Sequence, residues 1–381
     1  MKNITRSATV TFITLILALS VISCSDKAIN YYNEGITAAG DGNLKKAVEL
    51  WKNSLQYREN DPDTHFNMGV AYLEMRQYEK AEQSFRNSIG YRKGDPVAHY
   101  KLGVALQGQD KIIAAKQSYK MAIKLKQNYV PPYLGVAECA LEQDNPETAE
   151  KYSSIALRLS PGSIRANTLL AESLFRQGNY ADAYMQIAPL RDTADQELLF
   201  VLGKTMYHRR MYSDALKTLA DSNSLGYSSP EIYLYLGLAS MKMRDYDKAR
   251  MYAQKSVYLD DNFCEAWSLL GNLRMEEKNW EEALEAFNRA RECDGETAEI
   301  AGKTGIVLLN VDRPKEAAAA LNYAVEKKSD PGLFLYYLGV AYYEMSETEK
   351  AYSALSEFIE NWKGQESYLE RAEQLRRKIQ K

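Results

Sequence analysis

Histidine and cysteine are scarce in this sequence, with three and four residues among 381. So small a stock leaves little material for a metal centre or a nucleophile–base pair. A surplus of either charge is missing too, since 48 Lys and Arg stand against 51 Asp and Glu for a formal charge of −3. A dedicated nucleic-acid binder needs a clear basic excess to neutralise phosphates, so the balance argues against that class. Beyond the first two dozen residues no run is apolar enough to meet a membrane. What is present is the make-up of a folded protein, 45% hydrophobic and 26% charged. The length exceeds the roughly 100–200 residues of one domain, so a single compact core is not expected.

The one apolar run, Ala8 to Ile22, follows Lys2 and Arg6. As a helix it would rise only about 22 Å, short of the roughly 30 Å hydrocarbon core, so it reads as a cleaved signal rather than a span. Its end, Val21-Ile22-Ser23-Cys24, resembles the bacterial lipobox. The resemblance implies cleavage before Cys24, lipidation of its thiol, and anchoring of the mature chain, because two or more acyl chains hold a protein stably to a bilayer. The leader is then 1–23 and the tether 24–27. Ser25 follows the cysteine and Asp26 comes one place later, which points to the outer membrane. An unmodified secretory signal is the plainer alternative.

Small residues recur at Gly35, Gly69, Gly103, Ala137, Ala171, Gly203, Gly237, Gly271, Gly305 and Gly339. Each step is 34 residues except Ala171 to Gly203, which is 32. An alanine series runs twelve residues behind, from Ala47 to Ala351, and slips by the same two residues at the same step. Two series that slip together mark a structural repeat. Large apolar residues stand four places after the alanines, as in Trp51, Phe85, Tyr119, Leu219 and Phe287. Pro62, Pro96 and Pro230 fall at first-turn positions of one helix, and Pro146 and Pro314 at those of the next, where a missing N–H is harmless. Each period is therefore two antiparallel helices.

This pattern resembles the tetratricopeptide repeat over about residues 28–365. The resemblance implies an all-α, right-handed superhelical solenoid of about ten helix-turn-helix units, divided as 28–195 and 196–365. A capping helix closes it over 366–381, where Tyr368, Ala372, Leu375 and Ile379 form one apolar stripe. Helix pairs bury their apolar faces by stacking on one another. Glu34, Ser153, Ala253 and Thr304 depart from the family pattern, and their units should pack less tightly. The fifth unit is two residues short and carries Pro189 within its second helix, which predicts a break near 188–196 and, in the sharper form, a hinge.

Chemistry is sparse. Gly302-Lys303-Thr304 lacks the earlier glycine and the strand of a phosphate loop. His65 and His99 lie 34 apart, and read as packing residues before zinc ligands. Cys264 opens one helix of the eighth unit and Cys293 closes the other, so they reach the same end of the hairpin; a disulfide or two separate thiols fit. No enzymatic activity, metal or cofactor is expected. In the family the first helices line a concave groove, and the fifth place of each unit carries that role onto Tyr32, Phe66, Tyr100, Phe200, Leu234 and Tyr336, with core filling as the rival role. Glu197, Glu231, Glu265 and Glu299 repeat at 34 residues at the start of first helices. They serve the helix dipole or form an acidic ladder for a basic partner.

The expected function is thus a lipid-anchored scaffold of the bacterial envelope, at the outer membrane facing the periplasm. It binds proteins or peptides, with no nucleic acid and no small-molecule substrate. Resemblance in layout suggests support of pilus or secretion-system assembly. The alternative is a binding component of polysaccharide synthesis or export.

Overall fold

A computed structural model describes residues 26–295, 297–327 and 332–380. Among these residues there are helices and turns but no strand. The chain divides into two compact halves at the boundary between Leu190 and Arg191. The leader and Cys24 lie outside the described residues.

The N-terminal half holds five helix pairs. They are α1 (26–40) with α2 (Leu44–Leu55), α3 (Pro62–Glu74) with α4 (Tyr78–Tyr91), and α5 (Pro96–Gln107) with α6 (Ile112–Leu125). Then come α7 (Val130–Glu142) with α8 (Pro146–Leu159) and α9 (Ile164–Arg176) with α10 (Tyr180–Ile187). The C-terminal half repeats the plan with α11 (Gln196–His208) and α12 (Tyr212–Ser224), then α13 (Pro230–Lys242) and α14 (Tyr246–Leu259). It continues with α15 (Cys264–Glu276) and α16 (Trp280–Asp294), then α17 (Ala298–Asn310) and α18 (Pro314–Lys327). The last pair, α19 (Leu333–Glu344) and α20 (Thr348–Asn361), is followed by α21 (Glu366–Ile379). Within each half every helix packs on its chain neighbours, and the first helices of successive pairs also meet, as α5 with α7 and α13 with α15.

The small-residue series marks the seam inside each pair. A Cβ added at Gly69 would stand 2.6 Å from the Phe85 ring, at Gly103 2.4 Å from Tyr119, and at Gly271 2.6 Å from Phe287. No side chain tolerates such distances, so only glycine lets the large residue cross the neighbouring helix. Ala253 replaces that large residue in the seventh pair. There Leu269 of the next repeat fills the room, 2.8 Å from the place of a Gly237 Cβ, so the expected looseness is made good from outside the pair. Ser153 is buried and donates to the Ala149 carbonyl.

Every first helix ends in the same way. Residues Gly42, Arg76, Asp110, Asp144, Gly178, Arg210, Arg244, Lys278, Asp312 and Ser346 all have positive φ, between +51° and +79°. The next amide reaches back five residues, as Gln77 N to Tyr72 O at 2.8 Å and Lys111 N to Leu106 O at 2.9 Å, which closes a Schellman turn. Only two of the ten carry the glycine that advertises such a turn. The prolines Pro62, Pro96, Pro146, Pro230 and Pro314 each open a helix, at the position where an N–H has no partner.

One expectation needs revision. Pro189 does not sit inside an α-helix, because α10 ends at Ile187 and a 3₁₀ turn, Ala188–Thr193, carries it. Proline lacks the N–H that another α turn would use, so the chain tightens there. The closing helix α21 buries Ala372 and packs Tyr368, Leu375 and Ile379 against Leu335, Leu355 and Phe358, the face its stripe defines.

Candidate interaction groove

The fifth place of each repeat divides into two kinds. Tyr32, Phe66, Tyr100 and Tyr336 are half-buried. Phe66 meets Phe85 edge-on at 5.6 Å, and Tyr100 lies 5.7 Å from Tyr119 and 5.6 Å from Tyr129. The Tyr32 hydroxyl accepts from Asn67 Nδ2 at 3.0 Å, and burial raises the Tyr100 phenol above its ordinary pKa. Tyr336 packs among Tyr337, Phe358 and Tyr368. Phe200 is a correction, being only 3% exposed, whereas Leu234, 7% exposed, borders a cavity on the first helices. Phe200 stacks on Tyr227 at 4.6 Å with Lys204 Nζ 4.8 Å from its centre, and Leu234 packs with Ala253 and Leu269. Phe200 serves the core before any groove, and Leu234 serves both.

A cavity of about 510 Å³ opens on α5 and α7. Tyr78, Tyr100, Val104, Tyr119 and Leu134 line it, with the Glu138–Arg165 ion pair at 2.7 Å on its edge. Gly108 and Gly135 let helix backbone run against the Tyr78 and Tyr119 rings, whose atoms would lie 2.6 Å from an added Cβ. The Tyr119 hydroxyl donates to Gln107 Oε1 at 2.8 Å, which fixes the wall. A second cavity, of about 350 Å³, lies along α13, α15 and α17. Val104 and Glu138 in the first cavity, and Leu238 and Asn272 in the second, stand four residues after the fifth place. Sequence reasoning passed over them, although one helical turn separates them from the residues it chose.

Glu197, Glu231, Glu265 and Glu299 all fall in the first turn of α11, α13, α15 and α17. That is where a carboxylate complements the helix dipole. Glu231 accepts from Lys204 at 3.2 Å and Glu299 from Lys303 at 3.3 Å, while Glu265 is exposed.

His65 and His99 have a shared task. Their Nε2 atoms lie 3.0 and 3.3 Å from the carbonyls of Glu59 and Lys93, six residues upstream in the preceding turn. The same reach is made by the Tyr133 hydroxyl to Gln127 O and by Trp267 Nε1 to Asp261 O, each at 2.8 Å. A ring with a polar tip pins each turn, and the ring type is interchangeable. The Cys264–Cys293 bridge is not formed. Cys293 Sγ turns back along its own helix to Arg289 O at 3.0 Å, and Cys264 Sγ donates to Asn262 O at 3.4 Å, so these are separate thiols. Cys139 is buried, and burial pushes its thiol up to about 12.

A stack of helix hairpins with ring-filled seams and two open furrows on its first helices defines a helical-repeat binding protein. Tetratricopeptide-repeat descriptions match residues 62–95, 134–188, 230–263, 264–296 and 334–364, with a TPR repeat match at 41–75. Together they span more than half of the chain, which belongs to the tetratricopeptide repeat family. It is similar to the type IV pilus assembly protein PilF of Pseudomonas aeruginosa, 25% identical over 201 residues that cover 51% of this chain and 79% of that protein. Among solved structures, a tetratricopeptide repeat protein from Parabacteroides merdae aligns with a TM-score of 0.54 and 14% identity, over 66% of this chain and 99% of its own. The solved PilF of Pseudomonas aeruginosa aligns with a TM-score of 0.40 and 15% identity, over 64% of this chain and 96% of that one.

Proposed function

We propose that this protein is a membrane-tethered scaffold that holds peptide segments of partner proteins against its first helices, in service of a bacterial envelope assembly such as a pilus or secretion system. The observation that carries the reading is the furrow on α5 and α7. Val104, Pro131 and Leu134 alternate there with tyrosines, a mixed apolar wall that suits side chains of an extended peptide. A sugar site would stack open rings with few aliphatic neighbours, which favours protein over polysaccharide as the cargo. Similarity to PilF over half the chain supports the envelope setting. Lipidation at Cys24 would supply the tether, and Cys24→Ala should then move the protein from the membrane fraction to the soluble one.

The test is affinity purification of the detergent-extracted protein, wild type beside Val104→Glu. Envelope proteins that co-purify with the first and fall away from the second support the reading. Retention on a polysaccharide column with no protein partner overturns it. The turn at 188–196 is proposed to act as a hinge between the halves, and small-angle scattering that fits one rigid body would reject that role.

A further inference from the structure

The second cavity has a chemistry of its own. Its floor is Leu234, Leu238, Leu269 and Ile300, with the edge of Phe287. It is open because the fifth place at Ser268 carries no ring such as Tyr32, Phe66 or Tyr100 supplies in the N-terminal half. Ser268 is small, and at Gly302 the ring is supplied by Phe334, whose Cζ would stand 2.4 Å from an added Cβ. The space above Ser268 is left unfilled, at about 350 Å³ the small end of the roughly 300–1,000 Å³ common for ligand sites. Glu265 and Glu299 stand at its mouth, on the first turns of α15 and α17. Lys303 bonds Glu299 and so offsets one carboxylate, leaving the mouth with net negative charge. Thr297, which also lines it, is held as the α17 cap by bonding Ile300 N.

We infer that this cavity takes one apolar side chain, of leucine or methionine size, from an extended segment that carries a Lys or Arg next to it. The floor excludes a charged side chain, because desolvating it there would go uncompensated. The mouth selects the sign of the neighbour, since a carboxylate placed beside Glu265 would be repelled and an ammonium attracted. The cationic neighbour meets Glu265 at the exposed edge, where exchange with water is cheap, so it contributes selectivity more than affinity. This rests on the peptide-scaffold reading above, and assigns the C-terminal half a cargo unlike that of the tyrosine furrow.

Cys264 lines the cavity and offers a native reporter. The purified full chain is equilibrated with three cysteamine disulfides under mild thiol buffer, and capture at each cysteine is read by peptide mass spectrometry. Leucyl-cysteamine is apolar and cationic, seryl-cysteamine cationic only, and succinyl-leucyl-cysteamine apolar and anionic. Capture of the first at Cys264 should exceed that of either other probe at least fivefold, with no such preference at Cys293. Ser268→Phe, which fills the space, should abolish the preference over the seryl probe, and Glu265→Gln should lower that over the succinyl probe. Equal capture of all three at Cys264, or a preference that survives Ser268→Phe, overturns the inference. If that happens while envelope proteins still co-purify, this assignment alone fails; if partners are also absent, the scaffold reading fails with it.

Discussion

The two halves of the molecule share a seam and differ on a face. Ser54 and Ser88 in the first two repeats of the N-terminal half donate to the carbonyls of Ala28 and Pro62. Ser222 and Ser256 in the first two repeats of the C-terminal half donate to those of Gln196 and Pro230. In both halves the next two repeats carry alanine there, at Ala122 and Ala156, and at Ala290 and Ala324, all buried. On the first helices the likeness stops. The N-terminal half opens with half-buried Tyr32, Phe66 and Tyr100, whereas the C-terminal half buries Phe200 and Leu234, thins to Ser268 and Gly302, and returns to a half-buried ring at Tyr336. The seam is constrained because each residue meets a fixed neighbour at van der Waals distance; the groove is not, so its chemistry is free to diverge.

The largest effect that would break this picture lies in the seam. Gly103→Ala and Gly271→Ala should each destabilise by about 1–3 kcal/mol, despite the roughly 1 kcal/mol helix-propensity gain of alanine. Gly90→Ala, in α4 with nothing within 4 Å of its added Cβ, should instead stabilise by about 0.5–1 kcal/mol. Urea midpoints measure all three, and unequal costs at Gly103 and Gly271 would show that the halves do not share one seam.

The serine series comes next. Ser88→Ala and Ser256→Ala should each cost about 1 kcal/mol, because the part-buried bonds to the Pro62 and Pro230 carbonyls are lost. Thermal melts that show no loss would make these hydroxyls ornaments of an alanine site.

A smaller gain is expected at the turns. Arg76→Gly and Arg244→Gly relieve a positive φ and should each stabilise by about 0.5–1 kcal/mol, one in each half. Gly178→Ala, at φ +79°, should lose a similar amount. Denaturation midpoints that rank these three otherwise would contradict the shared turn.

The smallest effect concerns charge. Burial disfavours ionised Glu82, yet hydrogen bonds from Lys111, Arg86 and Gln109 hold its carboxyl down to about 2. Its stabilising contribution is therefore complete above the unfolded value near 4.3, and drains away as pH falls from there through about 2. Glu82→Gln should narrow the difference in melting temperature between pH 6 and pH 3. In the C-terminal half the matching place is Arg250, bonded to Asp247 and Glu277, so the clasp keeps its position with its polarity reversed.

Much of this was legible in the residues. The small-residue series located the seam, and the prolines located helix starts, because both act through local geometry that a single residue imposes. The turns were less legible: Arg76, Asp110 and Lys278 adopt a conformation that only Gly42 and Gly178 announce, since stacking on both sides compels it. The histidines were opaque for a related reason. His65 resembles Tyr133 and Trp267 only in where its ring tip ends, which no sequence pattern of residue types displays.

Sequence alone thus determined the period, the number of hairpins and the small residues on which they close, because each depends on contacts at constant spacing along the chain. Tertiary structure alone decided that Phe200 is covered while Tyr100 stays half open, that Leu269 fills the room beside Gly237, and that Cys264 and Cys293 remain apart. Those outcomes depend on which side chain from a neighbouring repeat arrives first at a given space, and packing settles that only once the repeats are stacked.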